Sequence, residues 1–412
     1  VDVNFQDMIA ERLGGREFGL SNKIYKFEKI KRAKEEAKKR HPNTELIDMG
    51  VGEPDRAADH TIVHELCEEA GKPENRWYAD NGIPEFQQAA VSYLTRVFGV
   101  KPLDWRSQVV HGIGSKPILA MLPACFINPG DITLMTVPGY PVLGTWTEYF
   151  GGTVYPLPLL EENQFFPDLD AIPEEVCQKA KMLYLNYPNN PTGQVATVEF
   201  FKKVIAFAEK NKIIVVHDAA YGALVFDEQK PLSFLSVEGA INVGMEIFSL
   251  SKSYNMTGWR MAFAAGHPKL IKAYATVKDN TDSGQFRAIQ KAAIRALDYE
   301  ELTAKNAERY SRRFDLLVPA LNRVGFSASK PGATFYCYVK SPVAAQGGEV
   351  QFANAEEAAE YLIREAVVST VPWDDAGSWL RFSATFSAET PEDEEAVIAE
   401  LEKRLTALRL VF

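Results

Sequence analysis

The stretch Ser249-Leu-Ser251-Lys252-Ser-Tyr-Asn-Met-Thr-Gly258-Trp-Arg260 carries the sharpest chemical signal in the chain. It follows a short apolar run, which places Lys252 just past the end of a buried strand. A lysine held out of water near hydroxyl groups is a better nucleophile than a solvated one, and its amine can form a Schiff base with a carbonyl. Arg260 can return to the same place and hold a phosphate alongside the Ser249 and Ser251 hydroxyls. A lone lysine is far more often a plain surface residue, so the motif needs partners elsewhere.

Three further stretches supply them. In Val215-Val-His217-Asp218-Ala-Ala-Tyr221 an aspartate closes a fully apolar strand. A carboxylate there is costly unless it meets a cation such as a pyridinium nitrogen, and Tyr221 can aim a phenol at the same ligand. Asn186-Tyr-Pro-Asn189-Asn190-Pro191-Thr192-Gly193 also follows a strand; taken alone, it reads as a turn. Gly112-Ile-Gly114-Ser115-Lys116-Pro117 leads from a strand into a helix, where backbone amides and Ser115 form a natural phosphate cradle. It lacks the third glycine of a dinucleotide fingerprint and the Gly-Lys-Ser/Thr of a nucleotide-triphosphate loop.

The elements that must position these residues are legible in outline. Short β-rich apolar runs recur at Val109, Ile132–Val137, Met182–Asn186, Ile213–His217, Glu246–Leu250 and Met261–Ala265, with helical patterns between several of them, such as 198–211 after a Thr197 cap. Continuous apolar strands alternating with helices predict an α/β layer: a mostly parallel central sheet flanked by helices. Residues 269–321 read as predominantly helical, 332–339 and 379–383 as strands, and the chain ends in an amphipathic helix with Thr390 as N-cap and Pro391 at its first position. The expected division is a large domain at 49–285 and a smaller α+β domain made of 1–48 and 286–412. The N-terminal segment, with its helix at 27–39, is too short to bury a core of its own.

In this order and spacing the four motifs resemble the aspartate aminotransferase family, the fold-type-I transferases that use pyridoxal 5'-phosphate. The resemblance runs from about Tyr25 to the C-terminal helix. It implies that Lys252 links to the cofactor, that Asp218 partners the pyridinium nitrogen, and that Tyr221 and Asn190 bind the ring's phenolic oxygen. Ser115, Ser249 and Arg260 would hold the phosphate, and Tyr140, in Pro138-Gly-Tyr-Pro141, would stack on the ring. Tyr78 matches the tyrosine that reaches a neighbouring subunit's phosphate, which implies a homodimer with shared active sites. Arg381, in Ser-Trp-Leu-Arg-Phe-Ser, matches the arginine that grips the substrate α-carboxylate, and Gly52 marks a place where a side chain would collide with substrate.

Finer features, including Gln6-Asp-Met-Ile-Ala-Glu-Arg-Leu-Gly-Gly15, Ile24-Tyr25-Lys-Phe-Glu-Lys-Ile30 and Gln164-Phe-Phe-Pro-Asp-Leu169, are similar to the branch of that family acting on LL-diaminopimelate. That branch implies amino transfer to 2-oxoglutarate in lysine biosynthesis, with Tyr25 closing over the substrate and Lys116 serving both the phosphate and the substrate. For the distal end of such a substrate the candidates are Tyr25, Lys116 and, from a partner subunit, Glu74 and Asn280 or Ser283. The stretch Lys278-Asp-Asn-Thr-Asp-Ser-Gly284 departs from the asparagine-glycine pattern expected there. A broader aspartate, alanine or aromatic aminotransferase is the alternative with the same cofactor site. A lyase or regulatory protein on the same fold is a further one.

Composition narrows the remaining classes. A length of 412 residues predicts two to three domains at roughly 150 residues each. Forty-five Lys plus Arg against 55 Asp plus Glu give a formal charge of -10, which repels nucleic acid and anionic lipid. The cofactor phosphate and substrate carboxylates therefore call for a local positive cluster, for which Lys116, Lys252, Arg260 and Arg381 are the candidates. The dense basic stretch 23–40 carries interleaved glutamates and reads as a solvated helix face. Apolar runs such as 117–127 fall short of the roughly 20 residues that span a bilayer, so no membrane partner is expected. The first residues show no signal peptide pattern, and the widely spaced Cys67, Cys125, Cys177 and Cys337 suit buried thiols in a cytoplasm. Asp59-His60 and His64-Glu65 are the best metal-binding candidates, but they lack a third and fourth ligand, so no metal is expected.

Overall fold

The computed structural model describes residues 5–20, 26–227 and 229–412; Tyr25 lies outside the described residues. Among these, the large sheet comprises β1 (Val109–Gly112), β2 (Ile132–Val137), β3 (Thr153–Pro158), β4 (Ala180–Asn186), β5 (Ile214–Asp218), β6 (Gly244–Ser249) and β7 (Ala262–Gly266). In space they lie in the order β1-β7-β6-β5-β4-β2-β3, and β7 alone runs against its neighbours. Alternate residues serve opposite faces: Leu183, Leu185, Val215, Phe248 and Phe263 enter one core, while Met182, Tyr184, Val216, Met245 and Ile247 enter the other. Each fully buried side chain of this kind contributes about 1.5–3 kcal/mol. Burial on both faces is the reason these strands read as continuous apolar runs rather than alternating ones.

One strand of this sheet gives no sequence signal. β3 contains Pro156 and Pro158, which argue against a central strand, and it lies at the sheet edge, pairing with β2 alone. Only an edge tolerates the missing amides.

The helices, in chain order, include α1 (Lys26–Arg40), α2 (His60–Ala70), α3 (Pro84–Phe98), α4 (Ser115–Phe126), α5 (Val198–Asn211), α6 (Pro268–Lys278), α7 (Arg287–Leu297), α8 (Glu300–Val324), α9 (Ala355–Ala366) and α10 (Pro391–Ala407). The Thr197 hydroxyl caps α5 by accepting from Phe200 N at 3.1 Å. Thr390 and Asp393 form a reciprocal capping box at the start of α10. A second, antiparallel sheet, in the order β9-β10-β8, joins β8 (Tyr336–Lys340), β9 (Val371–Trp373) and β10 (Trp379–Ser383).

Ile30, Ala33 and Ala37 of α1 pack on Ile363 of α9, and Ile47–Asp48 pairs with Val368–Ser369, so the N-terminal segment lies against the last third of the chain. α7 differs from the expected division at 285/286. Its Ala292, Ala293, Ala296 and Leu297 enter the core of the large sheet, against α2 and α3. The helical pattern on either side of 286 is continuous, and a helical period does not say which core a helix joins.

Cys177 and Cys337 are buried and Cys125 is half-buried, but Cys67 is exposed, contrary to the expectation of buried thiols. It follows the buried Ile62 by five residues and so falls on the far side of α2.

Candidate active site

The carboxyl ends of β4, β5 and β6 bring Asn186, Asp218 and Ser249 side by side, with Asn186 in register with Asp218. The chain leaves β2 toward β3 but leaves β4 toward β5, so a topological switch point lies between β2 and β4. Ligands of open α/β sheets bind at such a crevice. Tyr140 follows β2 into it.

Asp218 is buried. Its Oδ2 accepts from the Tyr184 hydroxyl at 3.2 Å, while its Oδ1 has no hydrogen-bond partner among the described residues. Burial pushes its carboxyl up to about 6, opposed by the Tyr184 hydroxyl, the Ala220 amide and the Lys252 charge. A half-satisfied buried carboxylate of this kind is completed by a cationic donor. Burial, then the Asp218 charge, also raises the half-buried Tyr140 phenol, against the pull of Arg260, which puts Tyr140 within electrostatic reach of both.

Asn190 is held by residues the sequence motifs did not single out for a role. Asn186 Oδ1 accepts from Asn190 N at 2.9 Å, and Asn186 Nδ2 donates to Asp218 O at 2.8 Å. Asn189 Oδ1 accepts from the Thr192 amide and hydroxyl, so the Asn-Pro-Thr-Gly stretch is both a turn and a mount. Behind it, His217 Nε2 accepts from Tyr187 N at 3.2 Å while Nδ1 donates to Glu246 Oε1 at 2.8 Å. Asp218, His217 and Glu246 come from strands other than the one that leads into this turn, so no local spacing announced those contacts.

Lys252 lies in the turn Leu250–Ser253 immediately after β6 and donates from Nζ to Gly52 O at 2.6 Å. Burial lowers its ammonium to about 8, aided by the Arg381 and Arg260 charges and opposed by Glu53 and Asp218. A neutral amine is therefore accessible near physiological pH.

At the start of α4, the Ser115 hydroxyl is buried without a partner among the described residues. Arg260 adopts a left-handed backbone (φ 56°) and donates from Nη1 to Thr257 O at 2.6 Å. Its guanidinium lies so close to Gly114 that a Cβ there would stand 2.1 Å from Nη2. The Ser249 oxygen accepts from Ser251 N at 3.1 Å, which leaves its hydroxyl proton free to donate. Ser251 is buried, and its backbone oxygen accepts from the Thr257 hydroxyl at 3.1 Å. A helix N-terminus, a guanidinium and free hydroxyls make an anion cradle. Gly114→Ala, which adds both that clash and a strained φ of 84°, is expected to weaken binding of a phosphate-bearing ligand at least about tenfold. Equilibrium titration of the variant measures it.

Arg381 is buried on β10. Its Nη1 donates to Asn190 Oδ1 at 2.8 Å and its Nη2 to Gly50 O at 3.0 Å, while Nε has no partner among the described residues. The guanidinium carbon lies 4.0 Å over the Tyr336 ring, and the Tyr336 hydroxyl meets the buried Tyr221 hydroxyl at 3.0 Å. A Cβ on Gly52 would stand 3.2 Å from that Tyr336 hydroxyl and 3.7 Å from Arg381 Nη2. Tyr336 was visible in the sequence only as a strand residue.

The remaining expected residues lie elsewhere. Lys116 is exposed and lines a groove of about 620 Å³ with Met121, Trp146 and Val277, a lining that includes none of Ser115, Lys252 or Arg260. Tyr78 stands 78% exposed at the surface, near Trp77 and Phe286, which are also exposed. Asn280 is exposed and its side chain donates back to Thr276 O at 2.9 Å; Glu74 is exposed as well. Asp59 is spent capping α2 through Thr61, with His60 and His64 exposed. Among the described residues no three His, Cys, Asp or Glu side chains gather as a metal site.

The gathered set therefore offers an amine, a carboxylate lacking a cationic donor, phenol and amide donors beside it, an anion cradle, and a buried arginine within electrostatic reach of the amine. It suits a planar ligand with a protonated ring nitrogen, a phosphate and a carbonyl.

Residues 44–399 match the family model described as aminotransferase class I and II. The chain is similar to the LL-diaminopimelate aminotransferase of Methanocaldococcus jannaschii, 57% identical with 99% of each chain covered. The LL-diaminopimelate aminotransferase of Methanococcus maripaludis is 54% identical, again over 99% of each. Among solved structures, substrate-bound BacF from Bacillus subtilis superposes with a TM-score of 0.86 at 32% identity, covering 100% of this chain and 99% of that one.

Proposed function

The chain belongs to the aminotransferase class I and II family, and from that premise we infer that it transfers an amino group from LL-diaminopimelate to 2-oxoglutarate. The products are tetrahydrodipicolinate and glutamate, a step of lysine biosynthesis. The observation that carries the reaction class is the buried Asp218 Oδ1, unpartnered among the described residues, on a carboxylate within electrostatic reach of the Lys252 amine, with Tyr140 within reach of both Asp218 and Arg260. The full-length relatives support the substrate.

Pyridoxal 5'-phosphate fits these residues. Asp218 would hold its ring nitrogen, Tyr221 and Asn190 its phenolic oxygen, Tyr140 its ring face, and Ser115, Ser249, Ser251 and Arg260 its phosphate. When bound, it supplies a carbonyl that condenses with amines and a ring that withdraws electrons from the bond broken at the substrate's α-carbon. The protein does the rest. Arg381 orients the α-carboxylate through paired charge-assisted hydrogen bonds, and Gly52 leaves room for the substrate beside it. The Lys252 amine takes the α-proton and returns it on the far side of the reaction. Asp218, kept anionic by a cation at Oδ1, steadies the electron-poor ring.

The protein acts as a homodimer in the cytoplasm, with Tyr78 completing the neighbouring subunit's phosphate site; the exposed Trp77, Tyr78 and Phe286 support that reading. Tyr25, Lys116 and Asn280 remain the candidates for the distal end of the substrate. Exchange assays with LL-diaminopimelate, aspartate and alanine as amino donors to 2-oxoglutarate test the substrate. LL-diaminopimelate is expected to give the highest kcat/KM. Brisk turnover of aspartate with none of diaminopimelate would overturn it.

A further inference from the structure

Lys278, the last residue of α6, has no exposed surface and takes no part in the chemistry above. Its Nζ donates to the backbone oxygen of Asp80 and to Asp282 Oδ1, the latter at 2.5 Å. Asp282 Oδ1 also accepts from Gly284 N at 2.8 Å, and Gly284 forms a bridge with Ala79. The two backbones touch there: a Cβ on Gly284 would stand 2.3 Å from Ala79 O. Asn81 Nδ2 donates to Asp279 Oδ1 at 2.7 Å, and Arg287 Nη2 donates to Tyr78 O at 2.8 Å. Two segments some 200 residues apart, 78–81 and 279–287, are thus stapled around one buried ammonium.

A buried lysine is costly unless its charge is paired, and an uncompensated partner is costlier still. Here the pairing fixes the two segments that present Tyr78 and the exposed Asn280 and Ser283 to the outside. We propose that Lys278 is a positioning residue for the neighbouring subunit's active site, holding the Tyr78 loop and the 280–284 turn as one rigid surface. The inference rests on the shared-site reading above. Asn280, whose side chain bonds back to its own helix, then contributes less than Ser283, which lies directly beside the Ala79 bridge.

Complementation between subunits tests it. Lys278→Met homodimers are expected to bind pyridoxal 5'-phosphate at least about tenfold more weakly, read by the visible absorbance of the bound cofactor, with a matching fall in turnover. Doubly tagged heterodimers pairing a Lys278→Met subunit with a Lys252→Ala subunit then carry one site with both defects and one with neither. About half of wild-type activity and cofactor absorbance should return, as two-fold symmetry requires. Asp282→Asn, which keeps the bond to Gly284 N but removes the charge, is the second variant should Lys278→Met fail to fold, and the same recovery is expected. Tyr78→Phe paired with Lys252→Ala is the control for the shared site. If that pair recovers and the Lys278 and Asp282 pairs do not, the lysine acts only on its own subunit and this inference is wrong. If no pair recovers, the shared-site reading falls and takes the inference with it. Wild-type cofactor affinity in both homodimeric variants would also overturn it.

Discussion

Lys252→Ala is expected to reduce turnover on the order of 10⁴-fold, the scale set by losing the group that carries the α-proton. It should also abolish the visible band that develops when pyridoxal 5'-phosphate is added, together with covalent retention of the cofactor after borohydride. The pH dependence follows from burial. An ammonium that prefers water is harder to keep charged inside the protein, so Lys252 loses its proton around pH 8 instead of near 10.5. The reactive species is the neutral amine, so the rate at which the wild-type band appears should rise as pH increases through about 8 and then level off. Stopped-flow absorbance across pH 6 to 10 measures it. A variant that keeps both the band and borohydride retention would remove Lys252 from its role, and a wild-type rate that is flat through that range would remove the argument from burial.

Arg381→Ala carries the second largest effect. Each charge-assisted hydrogen bond to a substrate carboxylate is worth about 1.5–3 kcal/mol, so losing a fork of two should lower kcat/KM for amino acid donors roughly 10²- to 10⁴-fold. The cofactor band should survive, because Arg381 makes no hydrogen bond to Lys252, Asp218, Ser115 or any other group of the phosphate cradle. Of the residues proposed to hold the cofactor it bonds Asn190 alone among the described residues, so only that support of the phenolic oxygen is loosened. A primary amine with no α-carboxylate makes a sharp control: whatever slow reaction it undergoes should be nearly insensitive to the substitution. Equal losses for that amine and for LL-diaminopimelate would mean that Arg381 supports the fold or the cofactor instead of reading a carboxylate. Arg381→Lys is expected to recover only part of the loss, since a point charge cannot reproduce the planar fork.

Sequence by itself determined most of the elements, and it singled out the residues proposed for the chemistry at their ends. An apolar run buried on both faces writes itself as a nearly unbroken apolar stretch, so β2 and β5 to β7 could be located to within a residue or two. Caps at Thr197 and Thr390 are equally local, because a hydroxyl bonds an amide three residues away. Lys252 and Asp218 stood out because a charged group at the end of an apolar strand is expensive unless it has a use.

Only the tertiary structure decided what those residues touch. Lys252 meets an oxygen 200 positions away, at Gly52, and Arg381 meets Asn190 across 191 positions. Tyr184, Asn186, His217 and Tyr336 gain their parts the same way. The edge strand β3, the allegiance of α7 to the large core and the solvent side taken by Cys67 belong to the same class. Periodicity reports which side of an element is apolar, whereas packing between distant elements settles which neighbour covers it. The staple at Lys278 is the clearest case: its residues are unremarkable in each segment alone, and they acquire meaning only where the two backbones meet.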